Sequence, residues 1–300
     1  MTEICFDYPL FGREVQKQEP KKITKCNIHQ RRQLILRETL EFFVTPNERA
    51  RQLELACANV ARWKAKVNII NEFDVENNLT EKVHVFAGDW GIITSVLTKQ
   101  HGKIFAVLNM CNAYFPGGGY VEGYPAQEEN MFRRTDCHFS VDEKIYSRSK
   151  DCYRPEITSL LNAQHGRVML DISSPRVCVR GAEFPTFPTL GYAWLPSKKI
   201  FPFYELRAAA VNLRMVKIFD QEELTKRVCA QLDTLIEKKI RFVVLSAFGC
   251  GAFKNPAEEV AKTYRIAIQA RLQHFTYIAF AIHYPGYGPD NITPFRNVFQ

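Results

Sequence analysis

Apolar positions fall first at helical spacing and later in short continuous runs. In the stretch from His29 to Leu40, which continues into Phe43, Leu34, Leu36, Leu40 and Phe43 recur as one face of a helix would. Asn47 to Lys66 repeats the pattern with Leu53, Leu55, Ala56, Val60 and Trp63, and Pro46 closes the first helix or opens the second. Lys82 to Phe86 then alternates and leaves into Ala87-Gly88-Asp89, as a strand ending in a turn does. Trp90 to Gln100 reads as a helix, with His101-Gly102-Lys103 as its exit, and Ile104 to Leu108 as a buried strand. Strand, helix and strand in that order form the unit of an α/β fold with parallel strands.

The second half continues the alternation. Asp136 to Arg154 is irregular, and Val168–Ile172 and Val177–Val179 are strand-like. Residues 181–202 carry Pro185, Pro188, Pro196 and Pro202 among aromatics, which predicts a long loop, and loops of that length in compact domains tend to be functional or mobile. A short strand is expected within Phe203–Asn212, a helix over Gln221–Lys239, and a fully apolar central strand over Ile240–Ala247. Asn255-Pro256 opens a helix to about Leu272, and Thr276–His283 is the last strand. The expected organisation is an N-terminal arm over 1–27, rich in Lys, Glu and Pro, a helical extension over 28–80 packed on the core, and an α/β domain over 81–300.

Composition changes this picture only in places. The 300 residues are 46% hydrophobic, enough for a sizeable core. A net charge of +8 suits an anionic partner such as a phosphate-bearing ligand or a nucleic acid. The basic residues are spread apart from pairs such as Lys198-Lys199 and Lys238-Lys239, which ranks a nucleic-acid binder low, and no nucleic acid is required. Nine scattered cysteines without a CxxC pair fit a reducing, cytoplasmic setting rather than a disulfide framework. Cys137-His138 is a lone adjacent pair, so no metal is expected. No Sec signal and no membrane-length apolar run is evident, while delivery as an effector by a dedicated secretion machine would leave no mark on such rules.

Two apolar strands run into glycine loops. Leu108 leads through Asn109, Asn112 and the triplet Gly117-Gly118-Gly119 to Gln127-Glu128-Glu129, and Ala247 leads into Phe248-Gly249-Cys250-Gly251-Ala252-Phe253. Beyond strand ends, glycines let backbone amides approach phosphate oxygens, and the second loop also feeds a helix N-terminus. Neither loop is a Walker A or a GxGxxG motif. The alternatives are tight turns or a diphosphate cradle. Adjacent carboxylates do not face each other across a bond as in ordinary sugar hydrolases. They are either a solvated pair in a first helical turn, or one holds ribose hydroxyls while its protonated neighbour serves a leaving group.

PGGGYVEGYPAQEE resembles the signature of poly(ADP-ribose) glycohydrolases, and NMCNAYFPGGG and SAFGCGAFKNPAEEVA resemble their bacterial-type branch. Weaker landmarks are Tyr153-Arg154-Pro155-Glu156-Ile157 and Ala208 to Leu213, so the resemblance spans roughly residues 80 to 285. It implies a macrodomain, an α/β three-layer fold with a mixed central sheet between helices, plus the N-terminal helical extension. It further implies Glu129 as the catalytic acid and Glu128 as holder of the distal ribose hydroxyls. Asn112 would contact the same ribose, Gln127 would orient the pair, and Phe253 would press on the ribose. Gly117, Gly118 and Gly119 would wrap the diphosphate together with the second loop, Ala247 and Gly249, Cys250, Gly251 and Ala252. Asp89 is either the adenine acceptor or a helix N-cap. The expected activity is hydrolysis of protein-linked ADP-ribose, mono (on arginine, for example) or polymeric, by a monomer that needs no cofactor; the alternative is a macrodomain that only reads ADP-ribose. The segment Asn130 to Asp136 is more charged, and the Pro-rich insertion longer, than such a family leads one to expect, and both are candidates for the leaving-group side.

Overall fold

The computed structural model describes residues 28–67, 78–184, 190–286 and 288–300; the arm expected over 1–27 lies outside them. Helices α1 (Ile28–Phe43) and α2 (Pro46–Lys64) come first, with Pro46 at the start of α2, where its missing N–H costs nothing. Thr45 caps α2 by accepting from Glu48 N. The short α3 (Leu79–Lys82) leads into β1 (Val83–Ala87), α4 (Trp90–His101) and β2 (Ala106–Met110). Then come α5 (Gln127–Arg134), the small hairpin β3 (Tyr146–Ser147) and β4 (Cys152–Tyr153), α6 (Pro155–Leu161), β5 (Met169–Leu170) and β6 (Arg176–Cys178). The chain closes with β7 (Phe201–Ala208), α7 (Leu213–Val216), α8 (Gln221–Glu237), β8 (Phe242–Leu245), α9 (Ala257–Gln269), β9 (Tyr277–Ile282) and α10 (Ile292–Phe299).

The central sheet runs β1-β9-β8-β2-β7-β5, with β6 also on β7. The first five strands are parallel, and β5 and β6 pair antiparallel with β7, so the sheet is mixed. Strand alternation divides the core into two faces. Leu108, Val243, Leu245, Ile278 and Phe280 meet α8, α9 and α10. Val107, Val244, Ala279 and Ala281 meet α1, α4 and α5. This is the expected three-layer arrangement, and α1 and α2 share its core: Leu36, Leu40, Phe43 and Ala56 are all buried.

The differences from the sequence reading have physical causes. β2 starts two residues later than expected and ends at Met110, which puts Asn109 inside the sheet. β7 is a full eight-residue central strand; Pro202 and the charged Glu205 and Arg207 hide it from a search for apolar runs. β5 is shorter than its apolar run and β6 starts one residue earlier than its run; each borders only β7. The helices α6 and α10 were not expected; they have only seven and eight residues, and their signals are local ones, Pro155 opening α6 and Asp290 accepting from the first amides of α10. Among the described residues no helix is long and apolar enough to cross a membrane.

Leu36 has no exposure and lies between α1 and the sheet layer. Leu36→Ala is expected to lower unfolding free energy by about 2–5 kcal/mol, the range for a large-to-small change at a closed core site, read from urea denaturation. A loss below about 1 kcal/mol would mean that α1 is only loosely applied to the domain.

Candidate active site

The predicted site residues gather at the C-terminal edge of the parallel strands, where open α/β sheets bind ligands. Asp89 follows β1, the triplet follows β2, and the second loop follows β8. Gln127 begins α5 and fastens it to the end of β2: its Nε2 donates to Leu108 O (2.8 Å) and its Oε1 accepts from Met110 N (3.0 Å). The next two residues are thereby aimed at the glycine loop.

Glu128 Oε2 accepts from Asn112 N at 2.7 Å and Oε1 from Gly117 N at 3.0 Å. Glu129 Oε1 accepts from Gly119 N at 2.9 Å. Gly118 N donates to Phe115 O at 3.0 Å. All three amides of the triplet are therefore used inside the loop, two of them on carboxylates. The sequence reading set this triplet around a diphosphate; in the structure it closes on the glutamates. Glycine is required for that approach. Gly118 has φ +56°, and a Cβ there would stand 2.5 Å from Glu129 Oε1.

Both carboxylates are buried, Glu128 with 3% and Glu129 with 8% of its surface exposed. Burial pushes Glu128 well above the ordinary carboxylate range, and the neighbouring Glu129 charge adds to this, against the Asn112 amide and Arg207. Burial also raises Glu129, against the Gly119 amide and Arg133. Adjacent buried carboxyls titrate as a pair, so this pair keeps a proton to higher pH than a solvated carboxyl does.

Asn112 spends its side-chain oxygen on the turn, accepting from Tyr114 N (2.8 Å) and Phe115 N (3.0 Å), which leaves Nδ2 for a ligand. Asp89 is an N-cap: Oδ1 accepts from Gly91 N (2.9 Å) and Ile92 N (3.0 Å). It also pairs with buried Arg134 at 2.8 Å, a partner that the sequence did not reveal.

The second loop is built differently. Gly249 has φ +74°, and Asn255 Nδ2 ties Gly249 O (3.2 Å) to Val211 O (2.8 Å). Ala247 and Cys250 are buried, and burial pushes the Cys250 thiol up to about 12. Gly251 and Ala252 are exposed and Phe253 is half-buried. Among the described residues nothing accepts from the amides of Gly251, Ala252 and Phe253. Three free amides lie ahead of α9, whose N-terminus has no side-chain cap, an arrangement of donors that suits an anion. The two glycine loops have thus divided the work: one is closed on carboxylates and the other is open to an anion.

Sequence reasoning missed the polar groups beneath the site. Asn109 Nδ2 donates to Glu205 Oε1 (2.7 Å), and Glu205 Oε2 pairs with Arg207 (2.8 Å), all buried between β2 and β7. Asn130 Oδ1 accepts from Trp90 Nε1 (3.0 Å) and Arg134 (2.9 Å). The period-two spacing of Glu205 and Arg207 inside a strand was the available signal. Among the described residues no group of three His, Cys, Asp or Glu could hold a metal ion.

Residues 36–164 match the family model "Microbial-type PARG, catalytic domain". Solved structures share the fold. Poly(ADP-ribose) glycohydrolase (PARG) from Thermomonospora curvata superposes with a TM-score of 0.60 at 19% identity, over 89% of this chain and 99% of that one. Its form bound to the inhibitor ADP-HPD gives 0.56 at 21%, over the same shares, 89% and 99%. The enzyme from Deinococcus radiodurans in complex with ADP-ribose gives 0.52 at 20%, over 83% and 91%. The fold of this chain is therefore the macrodomain-like fold of bacterial PARG. No curated protein matches the chain.

Two outcomes follow for this site. Gly118→Ala should destabilise the protein by roughly 1–3 kcal/mol, from left-handed strain and displacement of Glu129, as read by thermal denaturation. Glu129→Gln should do the opposite at neutral pH. A carboxyl whose folded pKa is raised contributes stability in full below its unfolded value of about 4.3, and loses it as pH rises through the folded value. The variant should therefore melt above the wild type at pH 7 and level with it or below at pH 4; a gap that widens towards acid would overturn the direction given.

Proposed function

We propose that this chain is an ADP-ribosyl glycohydrolase, which cleaves the ribose glycosidic bond of linked ADP-ribose. The observation that carries the reading is the buried Glu128–Glu129 pair, closed on by its glycine triplet beside the free amides of the second loop. The free amides of Gly251, Ala252 and Phe253 suit the diphosphate, with Ala247, Gly249 and Cys250 shaping the turn. Phe253 presses on the distal ribose, and Glu128 and Asn112 Nδ2 hold its hydroxyls. Asp89, already a cap and an ion-pair partner, keeps one oxygen with only Arg134 on it for the adenine amino group.

Glu129 then does the chemistry. Its proton passes to the leaving oxygen or nitrogen as the bond to the ribose anomeric carbon breaks. Positive charge builds on the sugar beside Glu128. Water adds to the same carbon and gives its proton to the Glu129 carboxylate, which restores the starting state. The Gly119 amide is on Oε1, which leaves Oε2 as the oxygen for both transfers.

The carrier in this proposal is an ADP-ribosylated protein, mono-modified on a side chain such as arginine or bearing polymer, and the enzyme acts as a monomer in a reducing cytoplasm. The seven cysteines among the described residues are free thiols, in keeping with that setting. Glu129→Gln should retain ADP-ribose binding by calorimetry and lose about 10²- to 10⁴-fold in turnover, the usual worth of a positioned acid. Wild-type turnover should fall as pH rises through the raised pKa of the pair, because the acid must carry its proton. Substrates carrying ADP-ribose on arginine, serine or glutamate, or as polymer, separate the carriers. Binding with no release from any of them would leave the protein a reader of ADP-ribose.

A further inference from the structure

Residues 121–124 join the glycine triplet to α5, and three of their carbonyls are held from elsewhere. Gln33 Nε2 donates to Val121 O at 2.9 Å, Arg32 Nη1 to Gly123 O at 3.2 Å, and Arg133 Nη2 to Tyr124 O at 2.7 Å. Two of these donors belong to α1. Gly123 has φ +80°, and a Cβ on it would lie 2.4 Å from His29 O, so the segment runs against the first turn of α1.

Arg32 is fixed in turn. Its guanidinium forks onto Glu183, with Nη2 at 2.6 Å and Nε at 3.2 Å. Glu183 Oε2 also accepts from the Tyr192 hydroxyl at 2.6 Å. That hydroxyl accepts from Arg133 Nε at 3.0 Å and Asn130 Nδ2 at 3.1 Å, both on α5. Tyr192 reaches this point through a left-handed backbone, φ +58°. Burial alone would raise Glu183, but Arg32 and the Tyr192 hydroxyl outweigh it and hold the carboxyl below its usual range. The contacts close a ring: α1, Glu183, Tyr192, α5, segment 121–124, and back to α1.

We infer that Arg32 and Glu183 are positioning residues for the Glu128–Glu129 pair. They touch no reacting atom. They fix segment 121–124, so that the amides of Gly117 and Gly119 stay on the carboxylates and α5 keeps its angle to the loop. Arg32, Gln33, Glu183 and Tyr192 lie outside residues 36–164, the stretch that matches the family model, while the groups they hold, in segment 121–124 and α5, lie inside it. The activity readout below rests on the glycohydrolase reading; the exchange readout does not.

The test compares wild type with Arg32→Met, Arg32→Lys, Glu183→Gln and the double variant Arg32→Met/Glu183→Gln. Hydrogen exchange of the 115–126 amides is read beside ADP-ribose affinity and turnover. Arg32→Met and Glu183→Gln should each speed that exchange and lower kcat by about tenfold or more, a larger change than in ADP-ribose Kd, with exchange in α8 and α9 unchanged. Arg32→Lys, which keeps charge without the fork, should recover part of both. The double variant should lose less than the product of the two single losses, since both changes break the same Arg32–Glu183 fork. Glu183→Gln preserves shape and decides the matter if Arg32→Met fails to fold. Wild-type exchange and kcat in Glu183→Gln, losses that multiply in the double variant, or affinity falling in step with kcat would overturn the inference. A wild type that releases no ADP-ribose would sink the glycohydrolase reading, and the exchange comparison would still decide this one.

Discussion

Two adjacent carboxylates are kept out of water at the end of a parallel strand, and much of the surrounding chain follows from that constraint. A buried carboxylate without donors is costly, and two side by side more so. The backbone has to come to them, because there is no room for side-chain donors on both. That explains a glycine triplet rather than a lysine or arginine: Gly117 and Gly119 supply amides, and Gly118 supplies the absence of a Cβ. It also explains Gln127, whose amide group replaces strand pairing at Leu108 and Met110 and so sets where the helix begins. The energy left in the pair is a proton held too long, which is what an acid needs near neutrality.

Beneath this lies a second layer of charge. Arg133, Arg134, Arg207 and Glu205 are all buried, and each has a partner outside its own element: the Tyr124 carbonyl, Asp89, the Ser140 hydroxyl and Asn109. Such pairs contribute little net stability over an apolar core, whereas breaking one is expensive. Their use here is orientation. Arg134 joins α5 to the cap of α4 through Asp89, and Arg133 joins α5 to the loop that precedes it. α5 has only eight residues and could not hold an angle through packing alone.

The sequence revealed the strands, their order along the chain and the two glycine loops, because burial on both faces leaves continuous apolar runs. It also singled out Gln127, Glu128 and Glu129, with a first helical turn as only one of the readings for the pair; the structure puts all three at the start of α5. It could not tell which loop the amides of Gly117 and Gly119 served, since a glycine marks a permitted conformation and not its partner. Asp89 illustrates the same limit: its cap was legible from the following helix, and its pairing with Arg134, 45 positions on, was not. Glu183 and Tyr192 were read only as part of a proline-rich loop, because what matters about them lies far along the chain: Glu183 meets Arg32, and the Tyr192 hydroxyl meets Asn130 and Arg133 of α5.

The charged segment after Glu129 had suggested a specialised leaving-group side, and the geometry assigns it elsewhere. Arg133 and Arg134 turn inward to Tyr124, Tyr192, Asp89 and Asn130, and Asp136 turns inward to accept from Val177 N at 2.7 Å. None of these charges is exposed to meet a carrier. What the loop exposes, beside Glu122 and Pro125, is mainly aromatic: Tyr114, Phe115 and Tyr124, on either side of the triplet. Rings beside a cleft discriminate by shape and stacking more than by charge. On the proposed reading, selection between a polymer and a protein side chain would then turn on how these rings receive the group beyond the ribose, while the buried arginines hold α5 and its two carboxyls in place whatever that group is.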